Sequence, residues 1–403
     1  MMQNQGDEET LARQVPLLLR LAVAVTGLSA FLQVYSLQAI LPLLVRDLAA
    51  TEVQAGLSVG ATVLGVAMMS PFMGMLSDAV GRKIFIVGSL LFLAIPTALL
   101  AGVQTIEQMM LLRFLQGVAV PGITVVLIAY IGEEFDGKAM TRLMSLYVAG
   151  TVLGGFLGRF ILGHLSEIIG WRAAFYVMAL LAVFSAFFIG KQLPASQKFT
   201  AKPHFQTALH TLSNHLKNRY VIAACLLGAC VLCSLVGCFT YINLYLAEAP
   251  YSLDSGGLAN LFSVYLIGMV ITPLSSKLIT RFGSARTIML AIAASAVGVA
   301  GTLFAPLPVI IAALVLMSSG VFITQAATIS YIAANVREGR SLASGLYYMA
   351  YYGGGTLGAW LCGLAYSRYG WTGVVCVLLS VQAAAVMVTV KGMLRPSEKF
   401  NCL

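Results

Sequence analysis

The chain has 403 residues, of which 59% are hydrophobic and only 10% charged, against roughly a quarter charged in ordinary soluble domains. That balance excludes a soluble globular protein and points to a polytopic membrane protein. The net charge of +9 would suggest a nucleic-acid partner in a soluble protein, but here the basic residues collect on one side of a membrane topology, and no nucleic acid is needed to explain them.

Apolar runs of about 20 residues, enough for a helix to cross a roughly 30 Å hydrocarbon core, recur along the chain. A β-barrel would need short alternating segments instead. The opening stretch MMQNQGDEETLARQ is polar and acidic, so no cleavable signal is expected, and the first apolar run is long enough to remain as a span. Spans are predicted at 19–45, 53–76, 84–104, 108–131, 143–166 and 172–190. The first contains FLQVYSLQAILP, where Tyr35 and Gln38 are candidate polar groups of an interior cavity.

Span four carries Arg113 and span five carries Arg159, inside GGFLGRFILGHL. A charge at the centre of a membrane helix costs about 3 kcal/mol on insertion scales and ordinarily faces a cavity or a partner. Both arginines sit about 9–12 Å below the outer surface at 1.5 Å rise per residue. Snorkelling and structural pairing compete with a functional role for each. Arg159 has Gly155 at i−4 and Gly163 at i+4, which leaves space around its guanidinium. Gly150, Gly154 and Gly158 form a helical stripe suited to close packing, or to a rocking contact between halves.

Residues 191–220 are the longest polar stretch, with five Lys or Arg, three of the four His and no acid. They read as a cytoplasmic linker between a bundle at 1–190 and a second at 221–403. The second half has predicted spans at 221–247, 257–279, 287–306, 308–332, 342–366 and 372–391. Span seven holds Cys230 and Cys233, without the His or acid that a metal site needs, and then Thr240, Tyr241, Asn243 and Tyr245. Gln325 in span ten and the tyrosines of YYMAYY at 347, 348, 351 and 352 are further candidates to line or gate a passage. Of 24 Lys and Arg, all but Arg46, Arg172, Arg368, Arg113 and Arg159 fall on the linker side, so both termini are expected in the cytoplasm.

The chain is internally repeated. A shift of 200 aligns Tyr147, Gly154, Gly155, Gly158, Gly163, Gly170 and Trp171 with Tyr347, Gly354, Gly355, Gly358, Gly363, Gly370 and Trp371. A shift of 202 aligns Pro71 with Pro273 and Gly81 with Gly283. The expected fold is therefore an all-α membrane protein of twelve helices in two pseudo-symmetric six-helix bundles. Such an architecture suits alternating access with a substrate site near the midplane. Arg159 aligns with Ala359, and the region of Arg113 with apolar LVLM, so the duplicated fold does not require either charge.

On these residues the chain resembles the major facilitator superfamily over essentially its whole length. GMLSDAVGRK fits that family's Gly-x-x-x-Asp-x-x-Gly-Arg-Lys loop at Gly74, Asp78, Gly81, Arg82 and Lys83; the resemblance implies a cytoplasmic loop that helps lock one conformation. RFLQGVAVPG is similar to the Arg-x-x-x-Gly motif at Arg113, Gln116 and Gly117, which implies substrate or proton handling. Span five resembles the antiporter motif, with Gly158-Arg159 where that motif has Gly-Pro, and GWRAAF fits the usual start of span six. Together these imply the 12-helix drug and sugar efflux branch, arabinose-efflux-permease-like, and a working monomer.

All 15 Asp and Glu fall in loops, tails or span ends. Two arginines facing a cavity with no deep carboxylate would favour a neutral or anionic substrate. Proton coupling would then fall to Asp47, Glu107, Glu248, His164 or the substrate itself. The leading expectation is a proton-coupled efflux transporter in the cytoplasmic membrane, taking a small organic molecule, with lipid as its surroundings. Uptake or exchange of an organic anion is the alternative, and a receptor or channel on the same fold a lesser one. No Walker loop and no His, Cys and acid cluster is present, so neither an enzyme nor a cofactor or metal is expected.

Overall fold

The computed structural model describes residues 15–196, 218–336 and 340–393, with the side chains of 340–342 excepted. Most of the predicted linker, 197–217, and the polar opening stretch lie outside the described residues. Eleven helices among the described residues are long and apolar enough to cross a membrane. One of them, Arg340–Gly392, runs through a break at Gly370 (φ 59°, ψ −151°) and supplies spans eleven and twelve. The expectation of twelve helices in two six-helix bundles therefore holds.

The remaining spans are Glu52–Val80, Arg82–Leu99, Ile106–Glu134, Gly137–Ile169 and Trp171–Gln192 in the first half. Arg219–Ala247, Ser284–Gly301 and Leu307–Asn335 are spans seven, nine and ten. Local chemistry sets their starts. Thr51 and Gln54 form a capping box at span two, and Thr105, Asn218 and Asp254 each accept from a first-turn N–H at spans four, seven and eight. Tight turns recur with the repeat: Gly81 and Gly283, and likewise Gly170 and Gly370, all take positive φ, where a Cβ would be strained.

Two spans are discontinuous, which the apolar pattern alone conceals. Span one is helical over Leu17–Val34, tightens to a 3-10 segment at Ser36–Ile40, and resumes over Leu41–Asp47. Pro42 fits the break: it has no N–H to donate and its ring crowds the carbonyl four residues back, and here it sits in the first turn of the resumed helix, where neither matters. Span eight is Ser255–Leu261, a 3-10 segment Phe262–Leu266, and Ile267–Phe282.

The glycine stripe of span five packs within the first half, as the close-packing reading expects, and a rocking contact between halves is not what these three glycines make. A Cβ on Gly150, Gly154 or Gly158 would run into the backbone of Ala24, Leu28 or Leu32 of span one. The second half repeats the device, with Gly354 on Ala229 and Gly358 on Cys233 of span seven. In lipid, where apolar burial gives helices little reason to associate, this backbone approach supplies the packing that holds them. Gly158→Leu, whose Cβ would lie 2.9 Å from Leu32 Cα, is expected to abolish recovery of monodisperse protein in size-exclusion chromatography. Gly132→Leu, with nothing within 4 Å, should elute as wild type; equal yields of the two would sink this account of the stripe.

Candidate functional site

A cavity of about 390 Å³ lies between the two halves. Phe31 and Tyr35 of span one, Thr124 and Ile128 of span four, and Tyr147, Thr151 and Gly155 of span five line one side. Tyr265 and Thr272 of span eight, Phe322 and Gln325 of span ten, and Tyr348, Tyr351 and Tyr352 of span eleven line the other. No charged side chain is among the lining residues. Ser70, Ile128, Thr272 and Ile329 belong to the halves of their spans nearer the linker, so the cavity faces that side.

The far side is sealed by two seams between the halves. In one, Gly60 of span two packs on Ala359 of span eleven, Thr356 Oγ1 donates to Gly60 O at 3.2 Å, and Tyr241 fills the space over Gly56 while donating to Ala359 O at 2.6 Å. In the other, Gly163 of span five lies against Ala259 and Ser255 of span eight. Glu167 accepts the Gly256 N–H, and His164 Nε2 lies 3.1 Å from Asn260 Oδ1. Gln38 Nε2 donates to Thr240 Oγ1 at 3.0 Å, linking spans one and seven.

Neither arginine faces the cavity, contrary to expectation; both are 0% exposed. The break in span one strips the Gln33 and Val34 carbonyls of their helical partners. Arg113 supplies replacements, donating to Gln33 O at 2.8 Å, to Val34 O, and to Gln116 Oε1 at 2.7 Å. Gln116 Nε2 continues the chain to Thr97 Oγ1 at 2.7 Å. Gly117, the other residue of that motif, lets span four approach the backbone of Thr62 in span two.

Arg159 lies just beyond the cavity's sealed end. Its Nε and Nη2 donate to Gln38 Oε1 at 2.8 and 2.6 Å, and Nη1 donates to Gly155 O. Its guanidinium carbon stands 4.8, 4.4 and 4.4 Å from the ring centres of Tyr35, Phe262 and Tyr265. Hydrogen bonds to a charged group contribute about 1.5–3 kcal/mol each and a desolvated cation–π contact about 2 kcal/mol. Set against an insertion cost near 3 kcal/mol, these partners suffice to hold the cation inside the protein without a carboxylate, so snorkelling is unnecessary.

Of the other expected residues, Tyr35, Gln325, Tyr348, Tyr351 and Tyr352 line the cavity, and Tyr347 does not. Tyr241 and Thr240 belong to the seal, Asn243 donates to Phe239 O within its own helix, and Tyr245 stacks on Trp371 with ring centres 5.7 Å apart. Tyr265, Phe262 and Phe322 were not singled out from the sequence, and Tyr147 only as a position of the repeat. Their signal was available only as aromatic residues near the middle of spans, a pattern that ordinary packing shares.

The signature loop ties span two to span four at the linker face. Arg82 pairs with Asp78 at 2.7 Å and Glu133 at 2.5 Å, and donates to Gly74 O at 3.1 Å and to Ser77 Oγ. A Cβ on Gly74 or Gly81 would meet nothing within 4 Å, as fits a face where the halves stand apart. At the opposite face Asp47 accepts from Trp171 Nε1 at 3.0 Å and Arg46 Nε at 3.1 Å.

The family model for the Major Facilitator Superfamily matches residues 23–359 and 251–399. The inner membrane transport protein YnfM of Escherichia coli K12 is 28% identical over 383 residues, 94% of this chain and 91% of YnfM. The chloramphenicol resistance protein CraA of Acinetobacter baumannii is 26% identical over 70% of this chain and 68% of its own length. Among solved structures, the nucleoside transporter NupG superposes with a TM-score of 0.77 at 16% identity, covering 93% of this chain and all of that one. A twelve-span fold, a cavity shared by two repeated halves and a family match across nearly the whole length agree: this chain belongs to the Major Facilitator Superfamily and is a membrane transporter.

Proposed function

We propose that the protein exports a small, neutral or anionic organic molecule across the cytoplasmic membrane by alternating access, with proton coupling. The observation that carries this reading is the cavity shared by both halves, facing the linker side and sealed on the other. With the linker and both termini in the cytoplasm, as the basic residues favour, this is the state that receives a substrate from inside. Residues 1–190 and 221–403 then act as the two moving bodies, each a functional monomer's half, and the loop at Gly74, Asp78, Gly81, Arg82 and Lys83 locks the linker face when the halves close there.

An uncharged lining rich in tyrosine suits a molecule with ring and hydroxyl groups and gives a cation no counter-charge. The drug-resistance name carried by CraA supports export. Arg159 behind Tyr35 and Tyr265 favours a second reading, exchange of an organic anion.

Flux in proteoliposomes under a pH jump, across phenolic neutrals, organic anions, sugars and cationic dyes, tests both readings. Substrate movement against its gradient in the proton-driven direction is expected for neutrals or anions; cation transport alone would overturn the substrate class. Gln325→Ala should raise KM about tenfold, the value of one lost hydrogen bond of about 1.4 kcal/mol, with little change in the amount of folded protein. An unchanged KM for every transported solute would remove Gln325 from the site.

A further inference from the structure

The two seams that seal the cavity occupy equivalent places in the repeat but are built from opposite materials. Span two aligns with span eight at a shift of 202, so Gly60 corresponds to Phe262; span five aligns with span eleven at 200, so Arg159 corresponds to Ala359. One seam is the small pair Gly60 and Ala359, whose Cβ positions would be 3.1 Å apart. The other is Phe262 against the Arg159 guanidinium at 4.4 Å. Simple closure is achieved at the first seam without any charge, so the cation in the second adds something that closure does not demand.

Its partners divide by half. Gln38, Gly155 and Tyr35 belong to the same half as Arg159 and would travel with it. Phe262 and Tyr265 belong to the 3-10 segment of span eight in the other half. Arg159 makes no ion pair among the described residues. Separating the halves on the far side must part Gly163 from Ala259, and the same movement strips two ring faces from the guanidinium. Water would enter beside a cation that has no carboxylate to meet it.

We propose that Arg159 is an anion site of the outward-open state, concealed here by the aromatic residues of span eight, and that a small monovalent anion from outside, a halide or a carboxylate, binds it and favours that state. The proposal rests on alternating access but not on the direction of transport. A ligand shifts a conformational equilibrium only by binding one state better than the other, and a site covered in one state and bare in the next meets that condition. Guanidinium is suited to the task, since it keeps its charge when buried and presents several donors to an anion.

Hydrogen–deuterium exchange of the full chain in nanodiscs, followed by mass spectrometry over peptides covering 255–266, reads the opening of this seam. At constant ionic strength, chloride or acetate replacing a bulky sulfonate is expected to speed exchange at least threefold, saturably, in the wild type and in Arg159→Lys. A response to chloride alone would identify a halide site and to acetate alone a carboxylate site; each supports the proposal. No response to either anion, or an equal response in Arg159→Gln, overturns it. Phe262→Ala, which retains the cation and loosens its cover, should lower the half-saturating anion concentration about tenfold; an unchanged value also counts against the proposal. Gly163→Leu separates the two levels of inference, because alternating access alone predicts faster exchange at 255–266 in that variant, with or without a small anion.

Discussion

Gly163→Leu is expected to insert and fold as the wild type does and to transport at least about a hundredfold more slowly. A Cβ at this position would lie 2.5 Å from Ala259 Cβ and 2.7 Å from Ser255 O, both in the opposite half, while the nearest atom of its own half outside span five's backbone is Ala39 Cβ at 3.3 Å. The added bulk therefore obstructs the contact between halves more than the packing inside one. Overpacking costs about 3 kcal/mol where backbone cannot yield, and that shifts a two-state equilibrium roughly a hundredfold. The transporter would be trapped open on the far side, unable to present its cavity to the linker face. Proteoliposome flux with size-exclusion chromatography of the same preparation checks the result. Near-normal flux would show that the seam closes by another route, and aggregation like that expected of Gly158→Leu would show Gly163 to be a packing glycine of its own half.

The comparison of these two glycines shows how far sequence reading extends. Spacing placed both on one helix, and the repeat paired each with a counterpart in span eleven. Whether a glycine faces its own half or the other depends on the rotation of span five about its axis. Neighbouring helices set that rotation, and hydropathy cannot report it when lipid and protein core are equally apolar. The twelve spans and the signature loop were legible because length, charge asymmetry and turn glycines are local properties. Pro42 was visible too, but Pro71, Pro96, Pro121 and Pro273 lie inside unbroken helices, so the break in span one shows only once Tyr35 and the 3-10 turn after it are in place. The aromatic cover on Arg159 was hidden for a different reason: Phe262 and Tyr265 lie about a hundred residues away, and no local pattern relates them to span five.

Arg113→Met is expected to lose the folded protein, or to lower its stability by about 3–5 kcal/mol, from two or three buried acceptors left without a donor at about 1–3 kcal/mol each. The methionine fills part of the space but offers no donor. Gln33 O, Val34 O and Gln116 Oε1 would then lose donors they have now, where water does not compete for them. Gln33 O keeps the Ser36 hydroxyl, at 3.2 Å, so its loss is the smaller one. Arg113→Lys carries the charge on a single nitrogen, which cannot span two successive carbonyls and the Gln116 amide as the planar guanidinium does; it should recover less than half of the loss. Thermal unfolding of the detergent-purified variants, read by size-exclusion chromatography after heating, measures the effect. If Arg113 instead met substrate or proton directly, as the resemblance of RFLQGVAVPG implies, Arg113→Met would keep its thermal stability and lose only flux. A variant as stable as the wild type would therefore return Arg113 to the transport machinery, whereas an unstable one makes it the brace that lets span one break beside the cavity, with Tyr35 of the broken turn in the lining.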